Sequence, residues 1–322
     1  MKILNLFGKN FTPKAENILE KIGTVDSKEM TQLEIKNVIG NYDIVFMGLY
    51  PELNREVLEK ADNLKAVVTA TTNLDHVDLE YAKEKGIAVL SLKEEIDFLN
   101  TITGTAEMAM GLMFDLMRFS PWAFEDVKNY NWRREQFRGR NLYGKTLGIV
   151  GLGRLGKWMA RYGRAFNMNV VSASPGANSE ECLELGVKIV DFKTLLAESD
   201  IISIHVHLKD DTKHMFNREA FSKMKKGAYL INTAIREVVH EGDLLEALQN
   251  GRIAGYGTDV LADELWFDEG FKNHPLVEYA KTHHNCIILP HIGGMTYESR
   301  EATDIFMAKK LQDYLNKKHA GK

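Results

Sequence analysis

The chain has 322 residues, of which 44% are apolar and 27% are charged, and its formal net charge is −4 at pH 7. This length exceeds what one ordinary core usually holds and indicates two domains, while the near balance of charge argues against a nucleic-acid partner. The two cysteines, Cys182 and Cys286, lie far apart and form no CxxC motif, so we expect a reducing, cytoplasmic compartment and no disulfide framework.

The first element has the character of a short strand rather than of a signal peptide, and no apolar run is long enough to span a membrane. Strand-like runs then alternate with segments of helical spacing, such as 15–22, 155–166 and 243–248. The strand-like runs lie at 3–7, 43–47, 66–69, 87–90, 146–150, 170–172, 201–206, 228–231, 253–257 and 287–289. Such alternation is typical of βαβ units and predicts an α/β fold with parallel sheets.

Two longer helical patterns suggest where the chain divides. The first runs from Ile102 to about Met117 and is rich in Met, Ala and Gly, which favours a helix buried between domains or subunits. The second, Glu298–Leu315, follows a Gly-Gly turn near the C-terminus, and it could cross back to pack on the first half of the chain.

A glycine-rich turn follows the strand-like run 146–150. It reads Gly151-Leu152-Gly153-Arg154-Leu155-Gly156 and leads into a helix, so it has the form GxGxxG in its proper context. The first glycine permits a tight turn, the second lets the backbone approach a pyrophosphate, and the third lets the helix pack closely on the strand. The helix N-terminus adds free N–H groups for the phosphates. The alternative is a glycine turn that binds nothing.

The next strand ends without the acidic residue that usually holds the ribose 2′-hydroxyl of NAD. Ser174 stands in that region, and no carboxylate appears before Glu180. A serine can bind the hydroxyl but has no charge to repel a 2′-phosphate, and no Arg or Lys follows closely to attract one. The residues therefore lean towards NAD and leave NADP possible.

Five stretches together resemble the D-isomer specific 2-hydroxyacid dehydrogenase family. They are LYGKTLGIVGLGRLGKWMARYGRAFNMNV, SDIISIHVHL, MKKGAYLINTA, LLEALQNGRIAGYGTDV and LPHIGG. The resemblance implies two Rossmann-like domains: a doubly wound cofactor domain at about residues 101–290, inserted in a smaller flavodoxin-like substrate domain formed by 1–100 and 291–322. It also implies a homodimer that pairs through the cofactor domains.

The resemblance assigns roles to individual residues. Asp259 in GTDV would hold the nicotinamide carboxamide, His291 in PHIGG would be the catalytic acid/base, and Glu264 would be its carboxylate partner. The loop Thr71-Thr72-Asn73 would offer backbone N–H groups to the substrate carboxylate, although the family usually has glycines there. The residues expected at the cofactor are Gly151, Gly153, Arg154, Leu155, Gly156, Ser174, His205, Thr233 and Asp259.

Histidine suits the proton step of 2-oxo acid reduction because its ordinary pKa lies near working pH, and a carboxylate beside it favours its protonated form. His291 and Glu264 each follow their own strand-like run, and the carboxyl ends of parallel strands meet at one edge of a sheet. His205 and His207 would share a strand face, but no third ligand accompanies them, so no metal site is expected.

The family's substrate arginine directly follows NTA, and in this chain Ile235 holds that position while Arg236 comes one residue later. In an extended segment adjacent side chains point to opposite faces, so Arg236 would face away from the substrate unless a bulge or turn redirected it. The alternative is a surface arginine paired with Glu237 or Glu241.

The resulting hypothesis is a dehydrogenase that acts on a small 2-oxo acid or D-2-hydroxy acid. The region after the run 43–47 lacks the arginine expected for a phosphorylated substrate, which argues against phosphoglycerate. A second hypothesis is an NADH-sensing binding protein of the same fold with little turnover, suggested by Ile235 and Ser174. A methyltransferase would leave Asp259, Glu264 and His291 unexplained.

Overall fold

The computed structural model describes residues 1–262 and 273–320, with side chains described as far as residue 318. The chain divides into two compact units, one formed by Met1–Ile102 with Met295–Lys322 and the other by Thr103–Gly294. Within the described residues, no helix combines the length and the apolar character that crossing a bilayer requires. The predicted α/β class is confirmed, because both units are built on parallel sheets flanked by helices.

The first unit contains a five-stranded parallel sheet in the order β2-β1-β3-β4-β5, which is the flavodoxin-like order. Its strands are β1 Lys2–Asn5, β2 Thr24–Ser27, β3 Ile44–Met47, β4 Ala66–Thr69 and β5 Ala88–Leu90. Its first helices are α1 Pro13–Glu20, α2 Gln32–Val38, α3 Arg55–Leu58, α4 Leu79–Glu84 and α5 Ile96–Leu99. The side chains of Thr31, Asn54 and Asp78 begin α2, α3 and α4 by accepting hydrogen bonds from the first helical turns.

The second unit contains a seven-stranded parallel sheet in the order β12-β11-β10-β9-β6-β7-β8. Its strands are β6 Thr146–Val150, β7 Asn169–Ala173, β8 Val187–Ile189, β9 Ile201–Ile204, β10 Ala228–Asn232, β11 Ile253–Thr258 and β12 Cys286–Ile288. Its helices are α6 Gly104–Arg118, α7 Ser120–Lys128, α8 Arg154–Ala165, α9 Ser179–Glu184, α10 Phe192–Glu198, α11 Arg218–Lys223, α12 Glu241–Gln249 and α13 Pro275–Ala280. The strand order reverses between β6 and β9, where open sheets of this kind bind ligands.

Alternate residues of the central strands enter two separate cores, as expected for a sheet covered on both faces. On β10, Tyr229 and Ile231 pack with α6 and α8 on one face, whereas Leu230 packs with the residues of α10, α11 and α12 on the other. The strand residues are therefore apolar in unbroken runs, which is why the sequence marks them clearly.

The C-terminal helix α14, Tyr297–Ala320, belongs to the first unit. Its buried residues Met307, Ala308 and Leu311 share a core with Ala15 and Leu19 of α1. Near its start, the carboxylate of Asp304 accepts hydrogen bonds from the backbone and the hydroxyl of Thr12. This helix therefore packs on the first part of the chain.

The sequence did not indicate β2 and β8, and each of them is one of the two edge strands of its sheet among the described residues. Their sequences are TVDS and VKI, and most of their residues are partly or fully exposed. Polar and charged residues make up much of these two strands, so they contain no apolar run for a periodicity argument to detect, whereas the edge strands β5 (AVL) and β12 (CII) do.

Candidate active site

The glycine turn lies at the carboxyl end of β6, and each of its three glycines meets a different steric situation. Gly151 has φ +92°, and a Cβ there would lie 2.7 Å from the carbonyl oxygen of His205. A Cβ on Gly156 would lie 2.2 Å from the carbonyl oxygen of Gly151. A Cβ on Gly153 would meet no atom of the described residues within 4 Å, so the backbone at the start of α8 is open to a ligand.

Two buried polar atoms at the carboxyl ends of β9 and β10 have no hydrogen-bond partner among the described residues. They are Nδ1 of His205, which follows β9, and Oγ1 of Thr233, which follows β10. The other ring nitrogen of His205 is 2.8 Å from Oγ of Ser203. Buried atoms of this kind are usually satisfied, so they fit a polar ligand that sits over the turn.

The polar groups at this edge carry different charges. Burial lowers the pKa of His205 to about 3, and the charge of Arg154 acts in the same direction, so the imidazole is neutral at working pH. Burial also lowers the pKa of Arg154 from its ordinary value, but an arginine keeps its charge in proteins. Arg154, in the glycine turn, is therefore a half-buried cation next to a neutral histidine, which suits an anionic ligand.

Ser174 directly follows β7, the strand next to β6, and it is half-buried. Its carbonyl oxygen accepts a hydrogen bond from the backbone N–H of Ala177, which closes a short turn. The stretch from Ser174 to Asn178 contains no charged residue. The structure therefore brings Ser174 to the edge that carries the glycine turn and brings no carboxylate from this stretch with it.

Asp259 holds the segment that carries His291. It is buried, follows β11, and its carboxylate accepts hydrogen bonds from the backbone N–H groups of Ile292 (2.8 Å) and Gly293 (2.6 Å). A Cβ at position 293 would lie 2.9 Å from the carboxylate, so the close approach requires glycine. His291 itself is exposed and has φ +54°, a left-handed conformation that a non-glycine residue keeps only when its surroundings impose it.

The segment after β10 is a turn and does not continue as a strand. The buried side chain of Asn232 accepts a hydrogen bond from the backbone N–H of Ala234 and donates one to the carbonyl oxygen of Ile235. Ile235 is extended and packs on the core of the second unit, and a 3₁₀ turn begins at Arg236. The sequence left two cases open, an extended segment that turns Arg236 away and a turn that redirects it, and the structure has a turn here.

Arg236 is largely covered, with 19% of its side chain exposed, and its Nε lies 2.9 Å from Oε1 of Glu237. The pair with Glu237 is the one expected for a surface arginine, but the exposure is lower than that of a solvated side chain. Glu241 has other contacts, since it accepts a hydrogen bond from the backbone N–H of Ala262 and lies 3.2 Å from the ring of His274.

Ala262 and His274 lie on either side of residues 263–272, and Glu264 falls within that stretch, outside the described residues. Its role as the partner of His291 stays a prediction. Among the residues that are described, no group of three or more His, Cys, Asp or Glu side chains converges as a metal site would require.

The predicted substrate loop belongs to the first unit and follows β4. Within the described residues, the backbone N–H groups of Thr71, Thr72 and Asn73 donate no hydrogen bond. The loop is nevertheless fixed at its start, because the carbonyl oxygen of Thr71 accepts a hydrogen bond from the N–H of Leu92. Free N–H groups on a fixed backbone are the arrangement that binds a carboxylate.

In the second unit, the structure therefore gathers Gly151, His205, Thr233, Asp259 and the segment of His291 at the carboxyl ends of neighbouring strands. The sequence did not reveal that Asn232 closes the turn before Arg236 or that Asp259 grips the backbone after His291. The only available signals were the Asn at the end of an apolar run and the glycines after His291.

Comparison with known proteins gives a consistent result. Residues 110–293 match the family model described as D-isomer specific 2-hydroxyacid dehydrogenase, NAD binding domain. The chain is 34% identical over 303 residues to D-3-phosphoglycerate dehydrogenase of Methanocaldococcus jannaschii, covering 94% of this chain and 55% of the relative. It is 32% identical to hydroxypyruvate reductase of Thermotoga maritima, covering 89% of both chains.

Among solved structures, the D-lactate dehydrogenase from Aquifex aeolicus complexed with NAD and lactic acid superposes with a TM-score of 0.84 at 29% identity. That match covers 98% of this chain and 96% of the other. The chain spans about half the length of the phosphoglycerate dehydrogenases that it matches, 55% in the case of the first. The names of these relatives are those of reductases and dehydrogenases, so a binding protein without turnover is not favoured.

Proposed function

This chain belongs to the D-isomer specific 2-hydroxyacid dehydrogenase family, and from that premise we propose that it transfers hydride between NAD and a small 2-oxo acid or D-2-hydroxy acid. The observation that carries the proposal is the pair of hydrogen bonds that the Asp259 carboxylate accepts from the backbone after His291. It holds a histidine in a left-handed conformation at the sheet edge that also carries the glycine turn. Such a constraint is typical of a functional site.

The nicotinamide cofactor, when bound, supplies the hydride. The chain's own contribution is to hold and orient that cofactor. The open backbone at Gly153 and the N-terminus of α8 suit its pyrophosphate, and Arg154 adds positive charge beside them. The buried Oγ1 of Thr233 and Nδ1 of His205 are suited to polar atoms that approach the carboxyl ends of β9 and β10.

His291 would hold a proton on its imidazole and deliver it to the carbonyl oxygen of the 2-oxo acid as negative charge builds there. In the reverse direction it would take the proton of the hydroxyl group. Glu264 would favour the protonated imidazole and fix its orientation, as expected of a carboxylate beside a histidine. The left-handed backbone at His291 supports this role, because strained residues of this kind cluster at active sites.

Arg236 would bind the substrate carboxylate. Its low exposure and the turn that the side chain of Asn232 closes before it support this role. One lost charge-assisted hydrogen bond corresponds to about 1.5–3 kcal/mol, so Arg236→Ala should lower kcat/KM roughly tenfold to hundredfold. Arg218→Ala is the matched control, because Arg218 is 73% exposed and pairs with Glu246 in the same unit.

The loop Thr71–Asn73 would also bind the substrate carboxylate, through its free backbone N–H groups. The substrate class we favour is a small 2-oxo acid without phosphate, because no arginine stands directly after β3, where residues 48–54 read GLYPELN. The next residue, Arg55, lies in α3, where it pairs with Glu59 and stacks on the ring of Tyr81. Comparison of glyoxylate, hydroxypyruvate and pyruvate with phosphohydroxypyruvate tests this point. A strong preference for the phosphorylated acid would contradict it.

We favour NAD over NADP because Ser174 has no cationic neighbour in the segment that follows β7. Measured kcat/KM values with NADH and NADPH, at one saturating 2-oxo acid, decide between them. A preference for NADPH would show that another group meets the 2′-phosphate.

The proposed partner is a second copy of the chain, paired through the second unit. Four large aromatic side chains are exposed there between residues 124 and 143: Phe124, Tyr130, Trp132 and Tyr143. Exposed aromatic groups of this size mark interaction surfaces. Light scattering coupled to gel filtration should give twice the mass of the chain, and Trp132→Glu should shift the mass towards that of one chain.

The central experiment follows NADH oxidation with a panel of 2-oxo acids, with His291→Ala in parallel. Saturable oxidation that His291→Ala abolishes supports the proposed reaction. Tight NADH binding without oxidation on any acid would overturn it.

A further inference from the structure

Three hydrogen bonds join a buried histidine of the first unit to the loop Thr71–Asn73. Nε2 of His76 lies 2.9 Å from Oγ1 of Thr69, and that oxygen lies 2.9 Å from Oγ1 of Thr71. The hydroxyl of Thr71 in turn donates to the carbonyl oxygen of Asn73 at 2.7 Å. Thr69, the last residue of β4, and His76 are both buried, whereas Thr72 and Asn73 are exposed.

In this series of three hydrogen bonds, every donor can be assigned, and each donates towards the loop. The carbonyl oxygen of Asn73 accepts and cannot donate, so the single proton of the Thr71 hydroxyl is committed to it. The bond between the two threonine oxygens must then use the proton of Thr69. Thr69 has no proton left for His76, so Nε2 of His76 must carry a proton and donate it. The carbonyl oxygen of Asn73 thus fixes the direction of all three bonds, and the first donor is the buried Nε2–H group of His76.

The loop has no glycine to shape it. None of the residues from Thr71 to Asn73 adopts a positive φ, and the position of the Asn73 carbonyl is fixed by the Thr71 hydroxyl. The bond from Thr71 Oγ1 to the Asn73 carbonyl closes a ring that contains the 71–72 and 72–73 peptide planes. It therefore restricts the N–H groups of Thr72 and Asn73, which donate no hydrogen bond within the described residues. Burial lowers the pKa of His76 to about 4, which keeps the ring neutral with its one proton.

We propose that His76 and Thr69 are positioning residues that, through Thr71, hold the backbone N–H groups of the loop Thr71–Asn73 in place for the substrate carboxylate. This inference rests on the proposed function. Neither His76 nor Thr69 needs to touch the substrate, because they act on it through the loop. In a loop without glycine, the hydrogen bonds from His76 through Thr69 and Thr71 would set the backbone conformation.

The experiment compares Thr69→Val, which keeps the shape but removes the hydroxyl, with Thr69→Ser, which keeps the hydroxyl. For Thr69→Val we expect the KM for the 2-oxo acid to rise about tenfold, with KM for NADH unchanged and kcat altered by less than about twofold. Thr69→Ser should restore the KM for the 2-oxo acid. Thr303→Val is the matched control, because it removes another buried hydroxyl bond of the same unit, the one to the carbonyl of Ser299.

The proposal is overturned if Thr303→Val raises the KM for the 2-oxo acid as much as Thr69→Val does, or if Thr69→Ser fails to restore it. Thr71→Val and Thr71→Ser repeat the comparison at a half-buried position, where a folding defect is not expected. Nitrogen NMR of the wild-type chain with labelled histidine gives a readout without substrate. The Nε2–H tautomer of His76 at neutral pH supports the chain of bonds, and the Nδ1–H tautomer overturns it. Absence of any 2-oxo acid reduction by the wild type overturns the proposed function instead, and leaves the tautomer as the test of the chain itself.

Discussion

Replacement of Asp259 by asparagine tests whether its hydrogen bonds to the backbone of residues 292 and 293 matter for catalysis. The carboxylate accepts two short hydrogen bonds, from the N–H groups of Ile292 and Gly293. An asparagine keeps one oxygen acceptor and turns an NH₂ group towards the second N–H, which then stays unpaired in a buried place. Loss of one charge-assisted bond and weakening of the other amount to about 3 kcal/mol.

That free energy acts on a strained conformation. A left-handed residue other than glycine is disfavoured by roughly 1–2 kcal/mol, so His291 keeps φ +54° only because its surroundings hold it. If the whole of this free energy, about 3 kcal/mol, disfavours the observed conformation, the fraction of molecules with His291 in that conformation falls by about a hundredfold. We therefore expect Asp259→Asn to lower kcat by up to about a hundredfold.

The assay is steady-state NADH oxidation at a saturating 2-oxo acid, with Asp191→Asn as the control. Asp191 caps α10 in the same unit, and asparagine caps helices almost as well as aspartate, so this variant should behave like the wild type. The alternative role, a contact to the nicotinamide carboxamide alone, predicts a higher KM for NADH at an unchanged kcat. That outcome would refute the claim that the hydrogen bonds of Asp259 hold His291 in its conformation.

Three further outcomes follow from the geometry. Gly153→Ala should keep the thermal stability of the wild type but weaken NADH binding about tenfold, because the new Cβ obstructs the open backbone. Gly151→Ala should instead lower the free energy of unfolding by about 1–3 kcal/mol, because residue 151 has φ +92° and its Cβ would meet the carbonyl of His205. Calorimetry measures the stability of each variant, and titration with NADH measures its binding. Asn232→Ala should release the turn that presents Arg236 and raise the KM for the 2-oxo acid, and an unchanged KM would show that the two bonds of Asn232 do not hold the arginine. His76 has a pKa of about 4 in the folded chain and 6.5 in the unfolded chain, so the unfolded chain binds a proton first as the pH falls. The free energy of unfolding should therefore decrease between pH 6.5 and pH 4, by at most about 3 kcal/mol. His76→Asn should flatten that part of the stability curve measured by denaturant titration, and an unaltered slope would contradict the assignment.

The residues that the sequence marked well are those whose role depends on local pattern. The strands β4 and β6 begin and end where their apolar runs do, and the glycine turn has the sterics that its spacing requires. The edge strands β2 and β8 escaped notice because they are short and mostly exposed. Local pattern is informative where a strand is apolar, which includes the edge strands β5 and β12, and uninformative where most of the strand is polar and exposed.

The parts of the site that sequence reasoning missed depend on contacts between distant residues. Asp259 and Gly293 are 34 positions apart, and no periodicity relates them. The turn before Arg236 depends on the side chain of Asn232, which bonds the local backbone and so replaces the extended segment that the strand-like run suggested. Glu264 lies outside the described residues, so its partnership with His291 stays a prediction.

The most direct measurement of the central claim is the rate of NADH oxidation with glyoxylate, hydroxypyruvate and pyruvate for three proteins: the wild type, His291→Ala and His284→Ala. His284 is an exposed histidine of the same unit whose ring stacks on Trp122. We expect saturable turnover by the wild type on at least one acid, equal turnover by His284→Ala, and a loss of about 10²–10⁴-fold for His291→Ala. Wild-type turnover by His291→Ala, or no turnover by the wild type on any acid, would contradict the assignment of His291 as the proton donor of a 2-hydroxyacid dehydrogenase.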